Sequence, residues 1–288
     1  MEGLLTAPGA TRRILDKHGI HAKKKYGQNF LIDKRVVAGI VQAAGVTEED
    51  CVLEIGPGIG TMTQALARAA GRVVCVEIDT GLFDVLADTL EGYENVLVVW
   101  QDILKTDIRA LMEKENGGRP FKVVANLPYY VTTPILMKLL EQKGCFSSVT
   151  VMVQQEVADR ICAEAGSRDY GAISLAVRYY ALPDRVLKVP PASFIPRPGV
   201  DSCVLHLEAR KEPPVRADEG FLFALIRAAF NQRRKTLANA LSHGFSHEGR
   251  RLSREEVTGA LEKLGLSPTV RGEALTLKDY ADLSELLK

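Results

Sequence analysis

Cysteine is scarce in this chain and never paired: Cys51, Cys75, Cys145, Cys162 and Cys203 form no CxxC and repeat no ligand spacing. A disulfide framework and a structural zinc site are both disfavoured, and a reducing, cytoplasmic setting is expected. No run of about 18 apolar residues occurs, and the first residues carry Glu2 where an export signal would have a long apolar block. Neither export nor a membrane partner is suggested. Charge of one sign is missing too, since 37 Lys and Arg stand against 36 Asp and Glu for a formal net charge of +1. Bulk charge therefore names no partner. What is present is 46% hydrophobic and 25% charged residues over 288 positions. That is a soluble globular composition, with length for about two domains and a core that needs no metal.

The distribution of charge says more than its sum. Between Arg12 and Arg35 eight basic residues, Lys23, Lys24 and Lys25 among them, face only Asp16 and Asp33. A second basic group comprises Arg227, Arg233, Arg234 and Lys235. Such patches attract a polyanion even on a nearly neutral protein. The bland alternative is a solvated arm folded over the body.

Residues 33 to 44 have helical spacing, with Val36, Val37, Ile40 and Val41 on or near one face. Short β-branched runs follow at 51–55, 73–78, 96–100, 122–125 and 149–153, separated by segments of helical period. This alternation predicts an open α/β sheet covered by helices, with its ligand loops along one edge. Strands at about 173–180 and 202–208 are expected to flank a proline-rich loop, 183–198. After about 210–218 only helical spacing remains: 218–230, 233–242, 253–264 and 276–287. The expected organisation is a basic arm over 1–32, a ligand-binding α/β domain over 33–210 and a small helical domain over 211–288.

The sharpest local signal is Glu54-Ile55-Gly56-Pro57-Gly58-Ile59-Gly60, after a predicted strand and before a helical stretch. Glycines permit a tight turn and close ligand approach, and the helix start offers unpaired N–H groups. A dinucleotide fingerprint needs a third glycine where Thr61 stands, and the triphosphate loop needs a Lys followed by Ser or Thr. Glu77, 21 residues after Gly56, ends the second strand, where a carboxylate accepts from both ribose hydroxyls of an adenosine-type cofactor. Asp102 ends the third and suits an adenine amine, while Glu54 can face a cationic cofactor centre. Caps and turns are the plain alternatives for all three acids.

At the fourth strand end stands Asn126-Leu127-Pro128-Tyr129-Tyr130, which resembles the amine-binding motif of adenosylmethionine-dependent methyltransferases. Adenine N6 has its lone pair delocalised into the ring. The Asn126 side-chain oxygen and the Leu127 carbonyl can each take one N6 hydrogen and free that pair, while Pro128 stiffens the loop and Tyr129 offers a face for stacking. Phe194 is expected to close the other face of the base, with ordinary aromatic core as its alternative.

Tyr26 to Leu31, Glu54 to Gly60, Asn126 to Pro134, and Ser193-Phe194-Ile195-Pro196-Arg197-Pro198 with Val200 and Ser202 resemble, in order, the ribosomal RNA adenine dimethyltransferase family. The resemblance covers nearly the whole chain. It implies a Rossmann-like adenosylmethionine-dependent methyltransferase sheet with a small C-terminal helical domain. It implies S-adenosyl-L-methionine as cofactor, with Gln28, Asn29 and Leu31 beside its methionine end. Gly56 and Gly58 then contact it through backbone, Glu54 and Asn126 near its reactive centre, and Glu77 with Ile78 and Asp102 with Ile103 at ribose and adenine. Lys23, Lys24, Lys25, Arg233, Arg234 and Lys235 become RNA phosphate contacts. No metal is implied, and a monomer is expected.

The resemblance favours the branch that dimethylates two adjacent adenosines near the 3′ end of 16S rRNA in the 30S subunit, with a role in late ribosome assembly. The alternatives are a large-subunit rRNA methyltransferase conferring antibiotic resistance and a mainly non-enzymatic assembly factor. A dinucleotide oxidoreductase shares Glu77 but leaves Asn126 to Tyr129 unexplained.

Overall fold

The computed structural model describes residues 5–21 and 27–288; Lys23, Lys24 and Lys25 therefore lie outside the described residues. The chain forms two compact units, Met1–Ala158 with Pro183–Ala209, and Asp159–Leu182 with Arg210–Lys288.

The first unit opens with α1 (Pro8–Lys17), β1 (Phe30–Leu31) and α2 (Lys34–Ala43). Strands and helices then alternate: β2 (Cys51–Ile55), α3 (Thr61–Ala69), β3 (Arg72–Glu77), α4 (Phe83–Thr89), β4 (Val96–Trp100), α5 (Ile108–Asn116), β5 (Phe121–Asn126), α6 (Thr132–Glu141) and β6 (Phe146–Gln154). The chain continues through α7 (Gln155–Cys162), α8 (Ala172–Tyr180), β7 (Ala181–Val189), β8 (Phe194–Ile195) and β9 (Ser202–Ala209).

The main sheet has the order β4-β3-β2-β5-β6-β9-β7. Its first five strands run parallel, and β9 lies antiparallel to β6. Every residue of β2 is buried, as suits a parallel strand covered on both faces and explains its apolar reading, Glu54 apart. The chain enters at β2, moves outward through β3 to β4, and returns to the other side of β2 as β5. The loops after these four strands therefore gather along the carboxyl edge, where the order reverses between β2 and β5.

A two-stranded antiparallel ladder joins β1 to β8, with Phe30 opposite Ile195 and Leu31 opposite Phe194. Helix α1 lies in the segment read from sequence as a basic arm. Ile14, Leu15 and Ile20 pack against Phe30, Ile59 and Val85, and Lys17 Nζ and His18 Nε2 both reach Asp88 Oδ2 at 2.7 Å.

Two expectations are corrected. Residues 173–180 form helix α8, not a strand: the run is apolar on nearly every side because it is buried on nearly every side, so its period cannot identify it. Ser174 Oγ accepts from Gly171 N–H at 3.0 Å and starts the helix. The stretch 183–198, expected to be loop throughout, holds most of β7 and all of β8. Pro183 is tolerated because β7 ends the sheet order, and an edge strand can spare an N–H.

The second unit is helical. It takes in Asp159–Leu182, which the sequence boundary left with the sheet, and adds α9 (Glu219–Asn231), α10 (Leu237–Gly244), α11 (Arg254–Lys263) and α12 (Leu277–Leu287). Its centre holds the buried rings of Tyr170 and Tyr280, whose hydroxyls donate to the Leu275 and Gly272 carbonyls, each at 3.0 Å. Reciprocal caps at Ser253 with Glu256 and Thr276 with Asp279 start α11 and α12. Among the described residues no helix is long and apolar enough to cross a membrane.

Candidate active site

The carboxyl edge of the sheet surrounds a cavity of about 300 Å³ within the first unit, at the small end of the range for cofactor pockets. At its base β2 ends and the glycine loop begins. Gly56, Gly58 and Gly60 all have positive φ, 69°, 60° and 87°, a conformation that side chains strain. A Cβ on Gly60 would stand 2.9 Å from Thr89 Oγ1, so this position is closed sterically as well.

Glu54 is wholly buried and lines this cavity. Its neighbour across the β2–β3 ladder is Cys75, whose thiol donates to Glu54 Oε2 at 3.4 Å. Oε1 has no partner in hydrogen-bond geometry, although the Thr63 hydroxyl lies near enough to the carboxyl to favour its ionised form. Burial pushes the Glu54 carboxyl up to about 7. An unpaired carboxylate oxygen in so dry a place is costly unless a cation or a donor meets it.

The other two acids sit on the same rim. Glu77 Oε1 accepts from the Asp79 N–H at 2.7 Å, and burial raises its carboxyl above the ordinary range despite that bond. Asp102 Oδ1 accepts from the Leu104 N–H at 2.9 Å, shaping the turn after β4. Each acid thus has the turn role that was the plain alternative, and each also faces the cavity. Gln28 Nε2 donates to Asp79 Oδ2 at 3.0 Å and ties the segment before β1 to the loop after β3.

Asn126 ends β5. Its Nδ2 donates to the Asn29 carbonyl at 3.2 Å, which assigns the amide orientation and leaves Oδ1 as the acceptor. Leu127 N–H donates to the Met152 carbonyl at 3.2 Å, and among the described residues no hydrogen bond ends on the Leu127 carbonyl. The Pro128 carbonyl accepts from Val131 N–H at 3.1 Å and Thr132 Oγ1 at 3.0 Å, closing the turn into α6. The hydroxyls of Tyr129 and Ser202 share a hydrogen bond of 2.7 Å. Tyr130 is 62% exposed, its ring 3.3 Å from where a Cβ on Gly27 would stand.

The fold thus brings Gln28, Asn29, Leu31, Glu54, Gly56, Gly58, Glu77, Ile78, Asp102, Ile103, Asn126, Leu127, Pro128 and Tyr129 around one cavity. Phe194 is not brought there. It is 1% exposed and packs with Leu31, Val36, Val37 and Ile40 in the core, the packing role that was its alternative. Arg233 Nε donates to Glu273 Oε2 at 2.5 Å, and its Nη2 donates to the Arg168 carbonyl at 2.6 Å. These contacts pair it within the second unit while its side chain stays 38% exposed, whereas Arg234 and Lys235 are exposed. Sequence reasoning missed Ser202 as a partner of Tyr129 and Cys75 as a partner of Glu54. The ladder register supplies the Glu54–Cys75 pair, and the motif containing Ser202 was visible without its contact.

The donor set matches S-adenosylmethionine. The orphaned carboxylate oxygen of Glu54 suits a cation, the glycine cradle admits close backbone approach, and Glu77 and Asp102 stand beside the apolar Ile78 and Ile103.

A family model described as ribosomal RNA adenine dimethylase matches residues 19–271. Over 282 residues the chain is 51% identical to the ribosomal RNA small subunit methyltransferase A of Lachnoclostridium phytofermentans, covering 97% of this chain and 96% of that one. The protein of the same description from Alkaliphilus metalliredigens is 47% identical over 282 residues, with 98% and 97% covered. Among solved structures, a dimethyladenosine transferase from Plasmodium falciparum superposes with a TM-score of 0.72 at 25% identity, covering 88% of this chain and 95% of that one. The 23S rRNA methyltransferase ErmE gives a TM-score of 0.66 at 26% identity, with 90% and 99% covered.

Proposed function

Because the chain belongs to the ribosomal RNA adenine dimethylase family, we propose that it methylates N6 of two adjacent adenosines near the 3′ end of 16S rRNA in the 30S subunit, giving N6,N6-dimethyladenosine. A part in late ribosome assembly goes with that substrate. The extended likeness to small subunit methyltransferases supports the choice of subunit. The observation that carries the chemistry is the Asn126 amide, turned by the Asn29 carbonyl so that its oxygen is the acceptor.

S-adenosylmethionine, when bound, supplies a methyl group activated by a positively charged sulfur. Gly56 and Gly58 would hold it through backbone, with Glu54 toward its cationic end and Gln28, Asn29 and Leu31 beside the methionine portion. Glu77 would take the ribose hydroxyls, Asp102 the adenine amine, and Ile78 and Ile103 the adenine faces. Asn126 Oδ1 and the Leu127 carbonyl each accept one N6 hydrogen of the target, drawing the nitrogen lone pair out of conjugation. Tyr129 stacks on the base. The proton of the cationic nitrogen passes to water, so positioning and fixed dipoles carry the catalysis without a dedicated base. Arg234 and Lys235 in the helical unit, with Lys23, Lys24 and Lys25, contact RNA phosphates.

The likeness to ErmE favours a second reading, the large-subunit adenine, and one experiment separates the two. Unmethylated 30S particles and unmethylated 50S RNA are each incubated with the protein and S-adenosylmethionine, and nucleosides are identified by mass spectrometry. Dimethyladenosine in the 30S sample alone, on two neighbouring adenosines, is the expected result. Product in the 50S sample alone moves the chain to the other branch, and product in neither removes the proposal.

A further inference from the structure

We propose that Ser202 is a positioning residue for the second methyl transfer, acting through the hydrogen bond between its hydroxyl and that of Tyr129. The inference rests on the reading of Tyr129 as the stacking surface for the target adenine.

Ser202 is the first residue of β9 and is wholly buried. Its backbone position is set by antiparallel pairing, Ser202 opposite Gln154, and by the Gln155 N–H, which donates to the preceding Asp201 carbonyl at 3.0 Å. Tyr129 sits in the turn between β5 and α6 instead. Among the described residues no aromatic ring packs against it. Its hydroxyl meets Ser202 Oγ at 2.7 Å across 73 residues of sequence. A loop-borne ring is thereby pinned to a rigid strand at its far end.

The two methyl transfers do not depend equally on that pin. Each transfer forms one N6–C bond from the N6 lone pair and breaks one C–S bond of S-adenosylmethionine, leaving the pair on sulfur. One N6 proton goes to water each time. Unmethylated adenine has two N6 hydrogens for the two acceptors, Asn126 Oδ1 and the Leu127 carbonyl. N6-methyladenine has one. The monomethylated base is therefore held by one hydrogen bond and the stacked ring, and its alignment leans more heavily on where that ring stands.

Three variants test this: Ser202→Ala, Tyr129→Phe and the double substitution. The readouts are time courses of mono- and dimethyladenosine on unmethylated 30S particles and calorimetric affinity for S-adenosylmethionine. Both single variants should accumulate N6-methyladenosine, with the second step slowed relative to the first by up to about tenfold, the factor that one ordinary hydrogen bond supplies. The double variant should be no slower than either single one, since both remove the same bond. Cofactor affinity should not change. Both steps slowed alike, an unaltered product ratio, or multiplied effects in the double variant would overturn the proposal. If Ser202→Ala loses cofactor binding through misfolding, Tyr129→Phe decides alone, because it keeps the ring and leaves Ser202 in place. A parent protein that makes no methylated adenosine removes the proposed function, and the role of Ser202 falls with it; dimethylation by the parent with a normal ratio in both variants removes only this inference.

Discussion

The side-chain amide of Asn126 donates to the main-chain carbonyl of Asn29, 3.2 Å away and 97 residues earlier in the chain. A carbonyl can only accept, so this contact settles which end of the amide is nitrogen. It also makes the segment before β1 a structural part of the cavity at the sheet edge.

Replacing Asn126 by Ala should therefore lower the methylation rate by about 10²- to 10³-fold, as loss of a preorganised polar group does at a reacting centre. Cofactor affinity should move far less. Asn126→Asp should fare no better than Ala, because a carboxylate cannot donate to the Asn29 carbonyl. Single-turnover rates beside calorimetric affinities check this, and activity retained in Asn126→Ala would remove Asn126 from catalysis. Ribosome maturation that survives the loss of methylation would identify a separate assembly role.

Glu54 makes stability depend on pH in a predictable direction. Its folded value of about 7 stands above the ordinary carboxyl value of about 4.5, so between those values the native state binds more protons than the unfolded one. Stability contributed at this site is lost as pH rises from about 4.5 to 7 and is constant beyond. Glu54→Gln escapes that loss and should gain about 3 kcal/mol on the parent between pH 4.5 and pH 8. Denaturant melts at several pH values measure it; a difference that does not change with pH removes the assignment. Cys75 and Glu77 are the neighbouring titratable groups that bear on this carboxyl.

Glu77→Ala should weaken S-adenosylmethionine binding while leaving RNA affinity intact. Calorimetry and filter binding supply the two numbers. Unchanged cofactor affinity would leave Glu77 only its hydrogen bond from Asp79.

Phe194→Ala should behave as a core truncation, costing about 3–5 kcal/mol of unfolding free energy. At temperatures where the variant remains folded, its methylation defect should follow its stability. A large loss of turnover without loss of stability would return Phe194 to the active site.

Within the second basic group, charge neutralisation should separate two classes of residue. Arg234→Gln and Lys235→Gln should weaken RNA binding and lower the slope of its salt dependence by about one counterion each. Arg233→Gln breaks the contacts to Glu273 and Arg168, and its first effect should be on thermal stability.

Much of this was legible in the sequence because it is local. Strands β2 to β5 announce themselves as β-branched apolar runs, and a parallel sheet carries its polar chemistry at the ends of such runs. Glu54, Glu77, Asp102 and Asn126 could thus be placed on one edge before any coordinates. What stayed hidden depends on packing between distant segments. Helix α8 is buried on too many sides to show a period, β7 reads as a loop because Pro183 is admissible only at a sheet edge, and Phe194 beside Pro196 and Pro198 gives no sign in the sequence that it packs in the core. Arg233 resembles its exposed neighbours until Glu273 is seen beside it. No spacing rule links Tyr129 to Ser202.

The late position of β9 in the sequence also bears on biosynthesis. A ribosome makes the glycine loop and the Asn126 turn long before it makes Ser202, so a growing chain can shape its cofactor cradle while the hydroxyl that pins Tyr129 has not yet been polymerised. The Tyr129–Ser202 bond thus arrives with the last strand of the sheet, after every residue that lines the cavity has been made.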